Sequence, residues 1–131
     1  MTIGQRIKRI REFRGLTQKE LGQLLGFKKG CDVRIAQYEA GSRVPKKKML
    51  LLLAKVLEVD VSVLSPTVGI SLNDLMQTIL WWEDMKGGGD IYDCIKAWET
   101  MKKKRDKGKI TEDEYFEWKL TRASLPTGVT V

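Results

Sequence analysis

At 131 residues the chain has room for one ordinary domain or two very small ones. An apolar content of 42% and a charged content of 31% fit a soluble globular protein, and no apolar run approaches the ~20 residues that span a bilayer, so a membrane role is not expected. The net charge of +7 is unevenly spread: residues 1–66 hold 14 Lys/Arg against 6 Asp/Glu, while residues 67–131 hold 10 against 11.

In the basic half the hydrophobic spacing predicts five helices. Thr2 can cap the first, in which Ile3, Ile7 and Ile10 share one face, and Gly15 ends it. Thr17-Gln18-Lys19-Glu20 is a capping box that opens the second, with Leu21, Leu24 and Leu25 expected to face the core and Gly26 to stop the helix in a left-handed conformation. The third runs from about Asp32 to Glu39 and stops at Gly41. Pro45 is expected in the first turn of the fourth, whose inner stripe is Leu50, Leu53, Ala54 and Leu57. Asp60 can cap a short fifth helix ending near Leu64.

Ser65-Pro66-Thr67-Val68-Gly69 reads as a junction. Beyond it Ser71-Leu72-Asn73-Asp74 opens a helix with Leu72, Leu75, Met76, Ile79 and Leu80 on one face, and Gly87-Gly88-Gly89 breaks it. Asp90 can cap the next, with Ile91, Cys94, Ile95, Trp98 and Met101 expected inward, until Lys107-Gly108-Lys109. Thr111-Glu112-Asp113-Glu114 is a further capping box, opening a helix with Tyr115, Phe116, Trp118 and Leu120. No alternating strand pattern occurs, so the expected class is all-α, with a domain at 1–66, a small helical region at 70–122 and a tail at 123–131.

The run Thr17-Gln18-Lys19-Glu20-Leu21-Gly22-Gln23-Leu24-Leu25-Gly26, followed by Val33-Arg34-Ile35-Ala36-Gln37-Tyr38-Glu39-Ala40-Gly41, joins two short helices by a turn. Ile35 and Tyr38, three apart, point inward and leave Asp32, Val33, Arg34 and Gln37 on the outer face. Over about residues 3–64 the chain resembles the lambda-repressor/Cro-like (XRE) helix-turn-helix family, which implies a five-helix DNA-binding domain with its third helix in the major groove of double-stranded DNA. The four outer positions match those that touch base edges in the family. Arg34 can donate two hydrogen bonds to guanine, Gln37 can pair with adenine and Val33 can meet a thymine methyl. The alternative for Arg34 is a phosphate contact. Asp32 can accept from cytosine or cap the third helix.

By the same resemblance Gln18 corresponds to a phosphate contact at the start of the second helix, and Arg11 and Glu39 to an ion pair locking the first helix to the third. Lys28, Lys29, Arg43, Lys46, Lys47 and Lys48 flank the third helix. Three lysines at the start of the fourth helix oppose its dipole, a cost that a nearby phosphate reverses. One departure from the family is a turn roughly three residues longer, Phe27-Lys28-Lys29-Gly30-Cys31, where the usual connection is short. Cys31 there is either a redox-sensitive thiol or a passive small residue.

All four tryptophans, Trp81, Trp82, Trp98 and Trp118, lie in the second half, as core or as an oligomer interface. Family members commonly act as dimers, so a homodimer through residues 70–122 is expected. The resemblance implies a transcriptional regulator of bacterial or phage origin, most often a repressor. The alternative is an antitoxin-like module whose C-terminal helices bind a partner protein. With no histidine, enzyme chemistry is not expected, nor is a cofactor or metal. Cys31 and Cys94 lie far apart without ligand spacing, and no apolar leader precedes the first helix. The expected setting is therefore the reducing cytoplasm. Single-stranded RNA binding is disfavoured because the aromatics sit apart from the basic half.

Overall fold

The computed structural model of the chain describes residues 1–64, 71–85 and 91–122. The Ser65–Gly69 junction, the Gly87–Gly89 break, the Asp90 cap and the 123–131 tail fall outside these. The described residues are helical throughout, without strands, and none of their helices is long and apolar enough to cross a membrane. Two compact units divide the chain, Met1–Pro66 and Thr67–Val131.

The first unit carries α1 (Ile3–Phe13), α2 (Gln18–Leu24), α3 (Cys31–Ala40), α4 (Lys47–Leu57) and α5 (Val61–Leu64). Thr2 and Gln5 form a capping box on α1, and Thr17 and Glu20 form one on α2, each pair satisfying two backbone donors that the first turn leaves open. Asp60 Oδ1 accepts from the Ser62 N–H ahead of α5. Ile7, Leu21, Ile35, Leu53, Leu57 and Leu64, each fully buried, come from all five helices and meet in one core.

Two glycines set how closely α3 sits. A Cβ on Gly22 would overlap the Cys31 carbonyl oxygen, and one on Gly4 would overlap the Tyr38 carbonyl oxygen. Both α2 and α1 therefore meet the α3 backbone directly. Glycine inside a helix costs about 1 kcal/mol relative to alanine, and here that cost secures the close approach. Gly22→Ala gains the propensity but drives a methyl into backbone that cannot rotate away. It is expected to destabilise the unit by about 1–3 kcal/mol in urea unfolding; a stabilised variant would show that α2 and α3 have slack between them.

The same approach corrects one expectation. The buried residues of α2 are Leu21 and Gly22; of the two other leucines read as core, Leu24 lies off that side and is 59% exposed, and Leu25, the C-cap, is half-buried. The fourth helix also starts later than expected: the Leu50 N–H bonds to the Lys46 carbonyl, so Lys46 is the N-cap and Pro45 is a buried residue before it. Leu53, Ala54 and Leu57 form its buried stripe, with Leu50 only half-buried.

The second unit carries α6 (Leu72–Trp82), α7 (Ile91–Asp106) and α8 (Glu112–Thr121). Capping boxes Ser71/Asp74 and Thr111/Glu114 open α6 and α8. Gly108, at φ +72°, makes the turn between α7 and α8. Tyr115 and Leu120, on α8, are the buried residues among those described in this unit. The Trp98 indole donates to the Tyr115 hydroxyl at 2.8 Å. Arg105 lies over the Tyr115 ring at 4.5 Å. The inward face read for α7 is not buried: Cys94, Ile95 and Trp98 are exposed, and Ile91 and Met101 are half-buried. The apolar face of α6 is likewise open, with Leu72, Leu75, Met76 and Leu80 exposed and Ile79 half-buried.

Candidate nucleic-acid interface

The candidate interface is built on α3. Its ten residues run from Gly30, a left-handed N-cap at φ 60°, to Gly41, a left-handed C-cap at φ 82°. The Arg34 N–H bonds to the Gly30 carbonyl, which fixes Gly30 as the cap. Asp32 therefore does not cap α3. It stands exposed in the first turn, where a carboxylate still complements the helix dipole. Ile35 and Tyr38 are buried. Asp32, Val33 and Gln37 are exposed and Arg34 is half-buried.

A carboxylate on the inner side of α3 ties it to two other helices. Glu39 accepts from Arg11 Nε at 2.7 Å and from Arg11 Nη2 at 3.0 Å, a bidentate pair between side chains 5% and 10% exposed. Arg11 also donates to the Leu16 carbonyl at 2.7 Å, in the connection between α1 and α2. The side-chain hydrogen bond to Glu39 raises the pKa of Arg11, and burial only partly opposes it. Gln18, the first residue of α2, donates its amide to Glu39 Oε1 at 3.3 Å. Read from sequence as a phosphate contact, Gln18 thus has one of its two amide N–H donors committed to the fold.

The basic residues flank both ends of α3. Lys28 and Lys29 stand exposed on the turn before it. Behind it the backbone carbonyl of Gln37 accepts from the Arg43 N–H at 3.2 Å and from the Ser42 hydroxyl at 3.3 Å, which folds the following loop back against the helix. Arg34, Arg43, Lys46 and Lys48 then line one concavity of about 440 Å³, floored by Tyr38 and Met49. Lys46, Lys47 and Lys48 crowd the start of α4, which has no acidic residue in its first turn and no side-chain cap. An uncapped helix N-terminus carrying three ammonium groups is suited to hold an anion such as a phosphate.

The enlarged turn does more than lengthen the connection. The Phe27 N–H bonds to the Gly22 carbonyl at 3.0 Å, and the Cys31 thiol donates to the Phe27 carbonyl at 3.1 Å. The Arg34 guanidinium lies over the Phe27 ring, 4.6 Å from its centroid. Sequence reasoning passed over Gly4, Gly22 and the ring of Phe27. A glycine inside the α2 pattern was the available signal for close packing; nothing local announced the Phe27–Arg34 stack.

Residues 7–64 match the family described as "Helix-turn-helix". No curated protein matches the chain. Among solved structures, a crystal structure of the transcriptional regulator BswR is similar at 25% identity and a TM-score of 0.47, over 65% of this chain and 95% of that one.

Proposed function

We propose, from the premise that residues 7–64 match the helix-turn-helix family, that the chain is a transcription regulator that binds double-stranded DNA sequence-specifically as a homodimer and represses transcription in a bacterium or phage. The observation that carries the reading is the division of α3 into two faces. One is pinned through Glu39 to Arg11 and Gln18; the other presents Val33, Arg34 and Gln37 beside the concavity lined by Arg43 and Lys46. On this reading Arg34, Gln37 and Val33 read base edges in the major groove, with Asp32 at the same helix end. Lys28, Lys29, Arg43, Lys46 and Lys47, together with Gln18 through its second amide N–H, contact phosphates. Residues 70–122 join two copies so that their α3 helices meet half-sites about 34 Å apart. The apolar face of α6, with Leu72 83% exposed, supports a role in association.

Selection of bound duplexes from a random pool tests this. Wild type is expected to enrich a two-fold symmetric motif. Arg34→Ala/Gln37→Ala should relax it at the positions those residues read, each good bidentate pair being worth about 1–3 kcal/mol of discrimination. Salt-sensitive binding with no enriched motif would reduce the basic half to backbone affinity alone. An asymmetric motif of one half-site would remove the dimer.

A further inference from the structure

We propose that Phe27, on the turn ahead of the reading helix, is a specificity-determining positioning residue that holds the Arg34 guanidinium flat and aims its edge at a base; the proposal rests on Arg34 reading a base as above. Arginine has a long flexible side chain, and ordering it costs conformational entropy that must be met on binding unless it is met beforehand. Bidentate recognition of guanine needs the guanidinium edge in the plane of the base. A ring against the guanidinium face restricts that plane and leaves the N–H donors, which lie around the edge, available.

The geometry supplies such a ring. The Arg34 carbon sits 4.6 Å from the Phe27 centroid, and Phe27 is itself held from both sides of its peptide. Its N–H is bonded to α2 at Gly22, and its carbonyl accepts the thiol of Cys31, the first residue of α3. The backbone that carries the ring is therefore tied to both helices of the motif. The electrostatics of the surroundings favour the same placement. Arg43, Lys46 and Lys48 share the concavity with Arg34, and their like charge repels its cation. The negative face of the aromatic ring attracts it.

Phe27→Leu keeps the apolar bulk and removes the ring face; Phe27→Tyr keeps the face. Binding of both variants and of Arg34→Ala is measured on the selected motif and on duplexes with the Arg34-dependent base pair changed. Thermal unfolding is followed in parallel. Phe27→Leu is expected to lose about 2- to 5-fold of the discrimination at that one base pair, the size of a partly exposed cation–π contact. It should leave the other positions, the affinity for unrelated DNA and the melting temperature close to wild type. Phe27→Tyr should restore the discrimination. Unchanged discrimination in Phe27→Leu, while Arg34→Ala loses it, overturns the role of Phe27 and leaves Arg34 as the reader. Equal losses at every position overturn it too, since they mark a structural effect. Should Arg34→Ala itself change no base preference, the reading on which the proposal rests has failed, and the proposal with it.

Discussion

Glu39→Ala is expected to lower the unfolding free energy of the first unit by about 3–5 kcal/mol, because it leaves the Arg11 guanidinium among buried surroundings without its countercharge. The side chains concerned are 10% and 5% exposed, so water cannot take over the lost bonds without the helices separating. The Leu16 carbonyl still accepts from Arg11 but carries no net charge, and the Glu12 carboxylate, 3.7 Å from Arg11 Nη2 and half in solvent, is too far and too well hydrated to replace the bidentate pair. A domain of this size has a total stability of roughly 5–15 kcal/mol, so the variant should populate unfolded chain and lose DNA binding with it. The double replacement Arg11→Met/Glu39→Leu separates the cost of an orphaned charge from the worth of the pair. It should recover most of the stability, since apolar groups of similar size can substitute for a buried pair. Urea unfolding of the three proteins decides this; a loss below about 1 kcal/mol for Glu39→Ala, the range of solvent-exposed ion pairs, would show that the pair is not desolvated.

Replacing Lys28, Lys29, Lys46 and Lys47 together by glutamine is expected to have the largest effect on affinity. If each meets one phosphate, the slope of log affinity against log salt becomes shallower by about 0.9 per lysine. Four such contacts account for roughly a hundredfold of the affinity lost between 50 and 200 mM salt. The enriched motif should not change, since none of the four reads a base. Stability should move the opposite way. Lys47 stands in the first turn of α4 and Lys46 caps it without a side-chain hydrogen bond, so neutralising them removes an unfavourable charge–dipole interaction of about 0.3–1 kcal/mol each. Weaker, less salt-dependent binding by a slightly more stable protein is the expected pair of results. An unchanged salt slope would remove these lysines from the interface.

The features legible in sequence were those decided within a few residues. The helix starts at Thr2, Thr17, Ser71 and Thr111 were all legible, the second and fourth as capping boxes, and in the structure each is a local exchange of hydrogen bonds between a hydroxyl residue and one three positions on. The left-handed glycines at 15, 26 and 41 follow from the absence of a side chain where α1, α2 and α3 end. Periodicity also placed Ile35 and Tyr38 inside.

What sequence could not supply was which of several apolar residues finds a partner. Leu24 and Leu25 are chemically alike, and only the side on which α3 presses against Gly22 separates them. Trp98 and Ile95 fit an inward stripe of α7, yet α8 reaches that helix through Tyr115 and covers neither fully. The cap at Gly30 was missed because glycine offers no side-chain acceptor to recognise, and Pro45 suits the position before a cap as well as the one after it. At the candidate interface, the spacing of Ile35 and Tyr38 made the outward placement of Gln37 legible, with Arg34 beside it half-buried. Their setting, with Phe27 against Arg34 and the loop donors of Ser42 and Arg43 bonded to the carbonyl of Gln37, belongs to the folded chain.

The division of α3 has a consequence for how such a protein can change. Glu39, Ile35 and Tyr38 hold the helix, while Val33, Arg34 and Gln37 point away from that attachment. Surface substitutions away from packed or paired groups usually shift stability by less than about 0.5 kcal/mol. The exposed members, Val33 and Gln37, can therefore be exchanged one at a time without passing through an unfolded intermediate, whereas Arg34, stacked on Phe27, carries a cost of its own. On the proposed reading, in which these residues meet base edges, new binding preferences are open to this chain by drift along a path of folded proteins, so long as the carboxylate of Glu39 stays in place.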